Sequence, residues 1–306
     1  MSETLKGVLL AGAAAVFWGL MGVSAQFIMG TSGFTPGDLV SLRLMGSGVV
    51  LLGAMGLLAH RNIFRPIASK ENFLAVLLYG AGVVAAQYFF FVAIEHTNAG
   101  TAAILVTTIP LMIIAWLFFA EHRPVSKKEM LCALLAVSGV VALITRGDFS
   151  GLHFSVMGLA AGLLSAAASA FYTLQPKKAI ARIGVGPVIS WGFFLGGLVM
   201  CFCYPPWEST AEWSWQAGAA YAYIVLLGTV GAFWCFLEST RHVSAAVSGL
   251  MIALEPLTAV VASSALLGVD FGPWEIGGMC AVIANVVLLS LPDRRLLRRS
   301  RRARSQ

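Results

Sequence analysis

Glu255 is the residue of this chain that is hardest to place for free. It sits inside Ser244–Leu267 (SAAVSGLMIALEPLTAVVASSALL), a stretch long enough to cross a bilayer and otherwise uncharged. A carboxylate at the centre of an apolar span costs a few kcal/mol. Pro256 follows directly; it removes the helical hydrogen bond to the Ile252 carbonyl and kinks the helix. A charge beside a freed carbonyl at mid-depth can hold a substrate ammonium or carry a proton. The plainer alternative is a structural hydrogen bond or ion pair inside the bundle. Arg43, also within an apolar stretch, can meet a substrate carboxylate. The plainer readings, which outweigh that one, are that it pairs with Asp38, snorkels outward, or ties helices together. Gln87 and Tyr88 precede Phe89-Phe90-Phe91, giving one helix an aromatic, partly polar face that could line a cavity. Trp18, Tyr172, Gln175, Trp191 and Trp234 are further lining candidates, against ordinary packing or lipid contact. Ser248 is a candidate too, although interhelical hydrogen bonds explain most of Gln26, Asn98, Ser248 and Asn285.

These residues need a membrane around them. The 306-residue chain is 58% hydrophobic and 11% charged, with mean hydropathy +0.85, whereas soluble domains carry roughly a quarter charged residues. A soluble enzyme is excluded. Spans of about 20 apolar residues fall at Leu5–Met29, Asp38–Ala59, Asn72–Ile94, Asn98–Ala120, Lys128–Ile144, Phe154–Ala179, Pro187–Tyr204, Trp215–Leu237, Ser244–Leu267 and Pro273–Leu291. The expected class is therefore an all-α integral membrane protein with ten transmembrane helices. An even count puts both termini on one side. Eighteen of the twenty Lys and Arg residues lie in one set of short loops and the termini; the opposite loops hold Arg146 alone. By the positive-inside rule both termini are cytoplasmic, in a plasma (inner) membrane. Seven arginines crowd the tail after Pro292. They suit anionic headgroups better than nucleic acid, so the bilayer is the expected partner.

The spans also repeat. Pro110, near the centre of Asn98–Ala120, aligns with Pro256 at an offset of 146 residues, and the same offset places His96 on His242, Ala99 on Ala245 and Glu129 on Glu275. With a small shift, Gly7-Val8-Leu9 falls on Gly158-Leu159-Ala160. The expected organisation is a first repeat over 1–148, a second over 149–291 and a basic tail over 292–306. Five spans is an odd number, so the copies must be inverted. Inverted repeats with helices broken at the midplane are the pattern of alternating access, with Pro110 and Pro256 as hinges. Ile109 stands where the second repeat has Glu255, so the kink is common and the acid is not.

Phe17-Trp18-Gly19 in the first helix, Arg43 in the second, a fourth helix reading TNAGTAAILVTTIPL, and Ala120-Glu121-His122-Arg123 followed by SGVVALI resemble the EamA-type carriers of the drug/metabolite transporter superfamily. The resemblance covers nearly the whole chain. It implies a ten-helix inner-membrane carrier, usually an exporter of amino acids, metabolites or drugs. Within the superfamily the chain is most similar to the aromatic-amino-acid exporters of the YddG type. The related four-helix multidrug carriers couple to protons through a carboxylate in their first helix. Here that region is AAAVFWGLMGVSAQ, without an acid, so that scheme does not transfer.

Other classes lose support on the residues themselves. The five histidines lie at span ends or in loops, and GxSxG, HExxH and GxxxxGKS are all missing from the sequence. No catalytic group, metal site, cofactor or obligatory protein partner is expected, and the five cysteines read as small apolar residues. The reading is a secondary exporter of small amphipathic metabolites, foremost amino acids including aromatic ones, with a drug, cation or nucleoside exporter as the alternative. A mostly apolar cavity with few fixed charges suits tolerance of many such substrates.

Overall fold

The computed structural model describes residues 3–58, 62–145 and 155–290. Arg146 and the arginine tail, which weigh in the charge count, lie outside these. Among the described residues the chain is all α-helical, with no strand. Helices α1 (Glu3–Ser32), α2 (Pro36–Gly53, prolonged by a π-helical turn to Leu58) and α3 (Lys70–His96) lead into a helix broken into α4 (Ala99–Val106) and α5 (Ile109–Glu121), then α6 (Lys127–Thr145). The second series is α7 (Val156–Leu174), a short α8 (Lys177–Ile183) and α9 (Val185–Cys203). It continues with α10 (Trp215–Val225) and α11 (Ala232–His242), joined by a π-helical segment at Leu226–Gly231, a broken α12 (Ala245–Ile252) and α13 (Leu254–Leu267), and α14 (Pro273–Ser290).

Eight helical stretches are long and apolar enough to cross a bilayer, and Pro273–Leu289 is a shorter apolar one. Of the ten expected spans, eight meet that length and composition among the described residues. Helix α6 spends its first turn on Lys127, Lys128 and Glu129. The expected sixth span is also shortened: Pro176 ends it, α7 stops at Leu174, and α8 follows as a separate turn.

Local chemistry explains why the two broken helices match. Each starts on a polar cap: the Asn98 side chain accepts from the Thr101 N–H at 2.8 Å, and Ser244 accepts from the Val247 N–H at 3.4 Å. Each breaks just before its proline and ends on a left-handed residue, His122 (φ 49°) and Gly268 (φ 65°). The helices after them carry Glu129 and Glu275 in their first turns, which accept from backbone N–H groups three residues earlier at 2.8 and 2.7 Å. All of these positions pair at the offset of 146 residues.

Packing between the two series is matched as well. Helix α2 lies on α9 and α6 on α14; α3 lies on α7, and α1 lies on α11; α4 crosses α13. The α6–α14 pair stands at the edge and touches through glycines. A Cβ on Gly139 would fall 2.7 Å from the Gly278 carbonyl, so the backbones meet directly there.

Candidate functional site

The two breaks face each other across a cavity of about 350 Å³. Thr107, Ile109 and Pro110 form one wall, Ile252, Ala253 and Glu255 the other, and Val286 and Leu289 of α14 close it. The first break is two residues wide. There Thr107 and Thr108 turn their hydroxyls back onto the carbonyls of Ile104 and Leu105, at 2.6 and 2.7 Å. The second break is the single residue Ala253. Glu255 therefore sits in the first turn of α13, where the unpaired N–H groups of a helix start favour an anion. Among the described residues its carboxylate meets no hydrogen-bond donor. Helix α1 presses on this point at Gly19, where a Cβ would lie 2.6 Å from the Glu255 carbonyl and 2.7 Å from Thr258 Cβ.

Arg43 is 2% exposed and stands at the centre of a second cluster. Its Nε donates to Thr229 Oγ1 at 2.9 Å and its Nη1 donates to Gln87 Oε1. The guanidinium lies 5.8 Å from the Phe91 ring centroid, within cation–π range. Nη2 takes no acceptor among the described residues. Asp38, weighed as its partner from sequence, is engaged elsewhere: its carboxylate accepts from the Thr35 N–H and hydroxyl at 2.9 and 2.8 Å, closing a capping box at the start of α2. Arg43, Glu255 and Tyr172 are close enough to interact electrostatically. Arg43 and Glu255 make no direct ion pair among the described residues. Opposite charges, one from each series of helices, are thus held near each other without touching.

The other sequence candidates divide. Gln87 points into the Arg43 cluster, whereas the adjacent Tyr88 turns away and bonds the Tyr204 hydroxyl at 2.9 Å beside a cleft of about 420 Å³ between α3 and α9. Tyr172 meets the Tyr79 ring edge-on, with centroids 5.9 Å apart. Trp18 packs α1 onto α11 through Phe233 and Phe236, at 5.5 and 5.7 Å. Gln175 donates to the Ala75 carbonyl at 3.1 Å and borders a different cleft. Trp191 is spent on structure, donating to the Ile63 carbonyl at 2.7 Å. Trp234 is 62% exposed on the outer face of α11, away from both clusters. Ser248 lies in α12, with its side chain outside the described residues. Gln26 accepts from the Ala99 N–H at 2.7 Å and so seats the start of α4. Asn285, read from sequence as an interhelical hydrogen-bonder, is fully buried with neither side-chain atom bonded. Cys203 and Cys280 are exposed on helix faces rather than buried.

Thr229 was not legible as a partner for Arg43. The π-helical segment adds a residue to the turn and rotates Thr229 inward, where its own hydroxyl donates to the Ile224 carbonyl at 2.8 Å. The only trace in sequence is the pair Gly228 and Gly231 flanking it within a span.

Comparison with known proteins agrees with this architecture. The model of the EamA-like transporter family matches twice, over residues 5–145 and 156–291. The uncharacterized inner membrane transporter YicL of Salmonella typhimurium is 31% identical over 97% of this chain and 99% of its own length. The threonine/homoserine exporter RhtA of Escherichia coli is 26% identical over 76% of each chain. A solved crystal structure, 17% identical, covers 95% of this chain and 98% of its own with a TM-score of 0.66, which speaks to the fold alone. With two family matches over most of its length and two helices broken at equivalent prolines, the chain belongs to the EamA-like transporter family.

Proposed function

We propose that this transporter exports amino acids, small neutral and aromatic ones alike, across the inner membrane by alternating access. The observation that carries the reading is the Arg43–Glu255 arrangement: opposite charges, contributed by different halves, near each other and unpaired. An amino acid presents the complementary pair, a carboxylate for the free Nη2 of Arg43 and an ammonium for Glu255. Its side chain is left to the apolar wall between the breaks. A charge-assisted contact at each end is stronger than a neutral hydrogen bond, and a substrate lacking either end leaves one protein charge uncompensated. The threonine/homoserine exporter among the relatives supports the substrate class, and relatives named as inner membrane transporters support the location.

In this mechanism ten spans form two inverted five-helix repeats over 1–148 and 149–291, with both termini cytoplasmic. Substrate at the facing breaks draws the halves together, because Arg43 is fixed to one and Glu255 to the other. The halves then rock about Pro110 and Pro256, while α6 and α14 stay paired as scaffold. Liposomes holding the purified protein should show counterflow of labelled threonine, homoserine, methionine and phenylalanine above that of empty liposomes. Failure of all four would overturn the amino-acid reading.

A further inference from the structure

A second cleft lies away from the facing breaks. It has a volume of about 780 Å³ and runs between α5 and α7. The equivalent seam in the other half, between α13 and α1, is shut at Gly19. From Met112 to Glu121 along α5 the cleft extends about 13 Å at helical rise. Its apolar wall opens sideways: Trp116 is 54% and Phe119 75% exposed, on a helix apolar enough to cross the bilayer. Polar groups gather at one end alone, namely Glu121, Gln175 and Lys177. Neighbouring cations are committed, Arg123 to Glu129 and Arg182 to Glu71. Glu121 and Lys177 form no ion pair among the described residues, and the buried Oε1 of Gln175 has no donor.

We infer that this cleft is a lipid site that takes a phosphoethanolamine headgroup at its polar end and an acyl chain along its wall. Lys177 meets the phosphate. Glu121 accepts from the ammonium, which carries three N–H donors. A choline headgroup has no N–H to offer, and a glycerol headgroup brings no positive charge to Glu121. A transported amino acid carries similar charges. The cleft nevertheless opens to the hydrocarbon, and its apolar length exceeds that of any amino-acid side chain. Basic pockets between spans are known to hold lipid headgroups; the carboxylate here selects a zwitterionic one.

Native mass spectrometry of the full purified chain, exposed to equal amounts of phosphatidylethanolamine, phosphatidylcholine and phosphatidylglycerol with identical acyl chains, tests this without measuring transport. The expected result is at least about tenfold preferential retention of phosphatidylethanolamine. Glu121→Gln, at an exposed helix end, should reduce that preference to near unity, and Ala167→Phe, which fills the wall, should remove the bound lipid. Unselective retention, or a preference untouched by both variants in folded, monodisperse protein, overturns the proposal. So does displacement of the lipid by millimolar threonine or phenylalanine, which would make the cleft part of the substrate path.

Discussion

Removing one member of a buried polar contact leaves the other stranded, and that asymmetry governs the Arg43 cluster. Thr229→Val keeps the shape but deprives Nε of its acceptor. A lost hydrogen bond to a charged group costs about 1.5–3 kcal/mol. Denaturant unfolding in micelles should show that loss for Thr229→Val and largely spare Thr229→Ser, which retains a hydroxyl. Arg43→Lys should fail as a conservative change, since one ammonium cannot hold the fork that Gln87 and Thr229 share. Glu255→Gln is the informative partner. It lacks bonds to lose among the described residues, so it should fold at least as well as the parent while losing transport. Sequence exposed Glu255 and Arg43 because charges in apolar spans are costly wherever they occur. Of the roles weighed for Arg43, tying helices together matches its bonds to Gln87 and Thr229, whereas pairing with Asp38 does not, since Thr35-Pro36-Gly37-Asp38 has the spacing of a capping box that employs Asp38.

At the level of helices, the two breaks are similar but not equally dependent on proline. Pro256 alone accounts for a break one residue wide, whereas Thr107 and Thr108 hold the other open through their own hydroxyls. Pro256→Ala should therefore impair counterflow more than Pro110→Ala, with both proteins remaining folded by size exclusion. Helix α1 bears on the second break through Gly19, where an added methyl would meet backbone that cannot yield. Overpacking of this kind costs about 1–3 kcal/mol, so Gly19→Ala should lower stability measurably. Gly12→Ala is the control: its nearest neighbour is the flexible end of Met251, at 3.3 Å. The prolines and the matching glutamates at 129 and 275 were legible through the constant offset, whereas Asn98, expected to hydrogen-bond between helices, caps its own helix instead. The π-helical turn at Thr229 was not, because it answers to packing rather than to propensity.

Over the whole molecule, family membership and the twofold match rest on nearly every helix, and the repeat was readable from a constant offset. The count of spans was harder, since charged first turns and short apolar runs blur the ends of α6 and α14. Topology is open to direct test. In a background without the native cysteines, Lys178→Cys should react with a membrane-impermeant maleimide from the cytoplasmic side and Thr210→Cys from the opposite side. Labelling of both from one side would break the proposed arrangement.

The central claim is that Arg43 and Glu255 hold the two ends of one substrate. Its most direct test is competition against phenylalanine counterflow by phenethylamine, which lacks the carboxylate, by 3-phenylpropionate, which lacks the ammonium, and by phenylalanine itself. A buried charge left unpaired costs at least about 2 kcal/mol, so each single-headed analogue should compete about thirtyfold more weakly or worse. In Glu255→Gln, which folds but does not transport, equilibrium binding of the same three compounds to the purified protein should show the penalty for losing the ammonium largely gone. Equal competition by all three compounds would contradict the account.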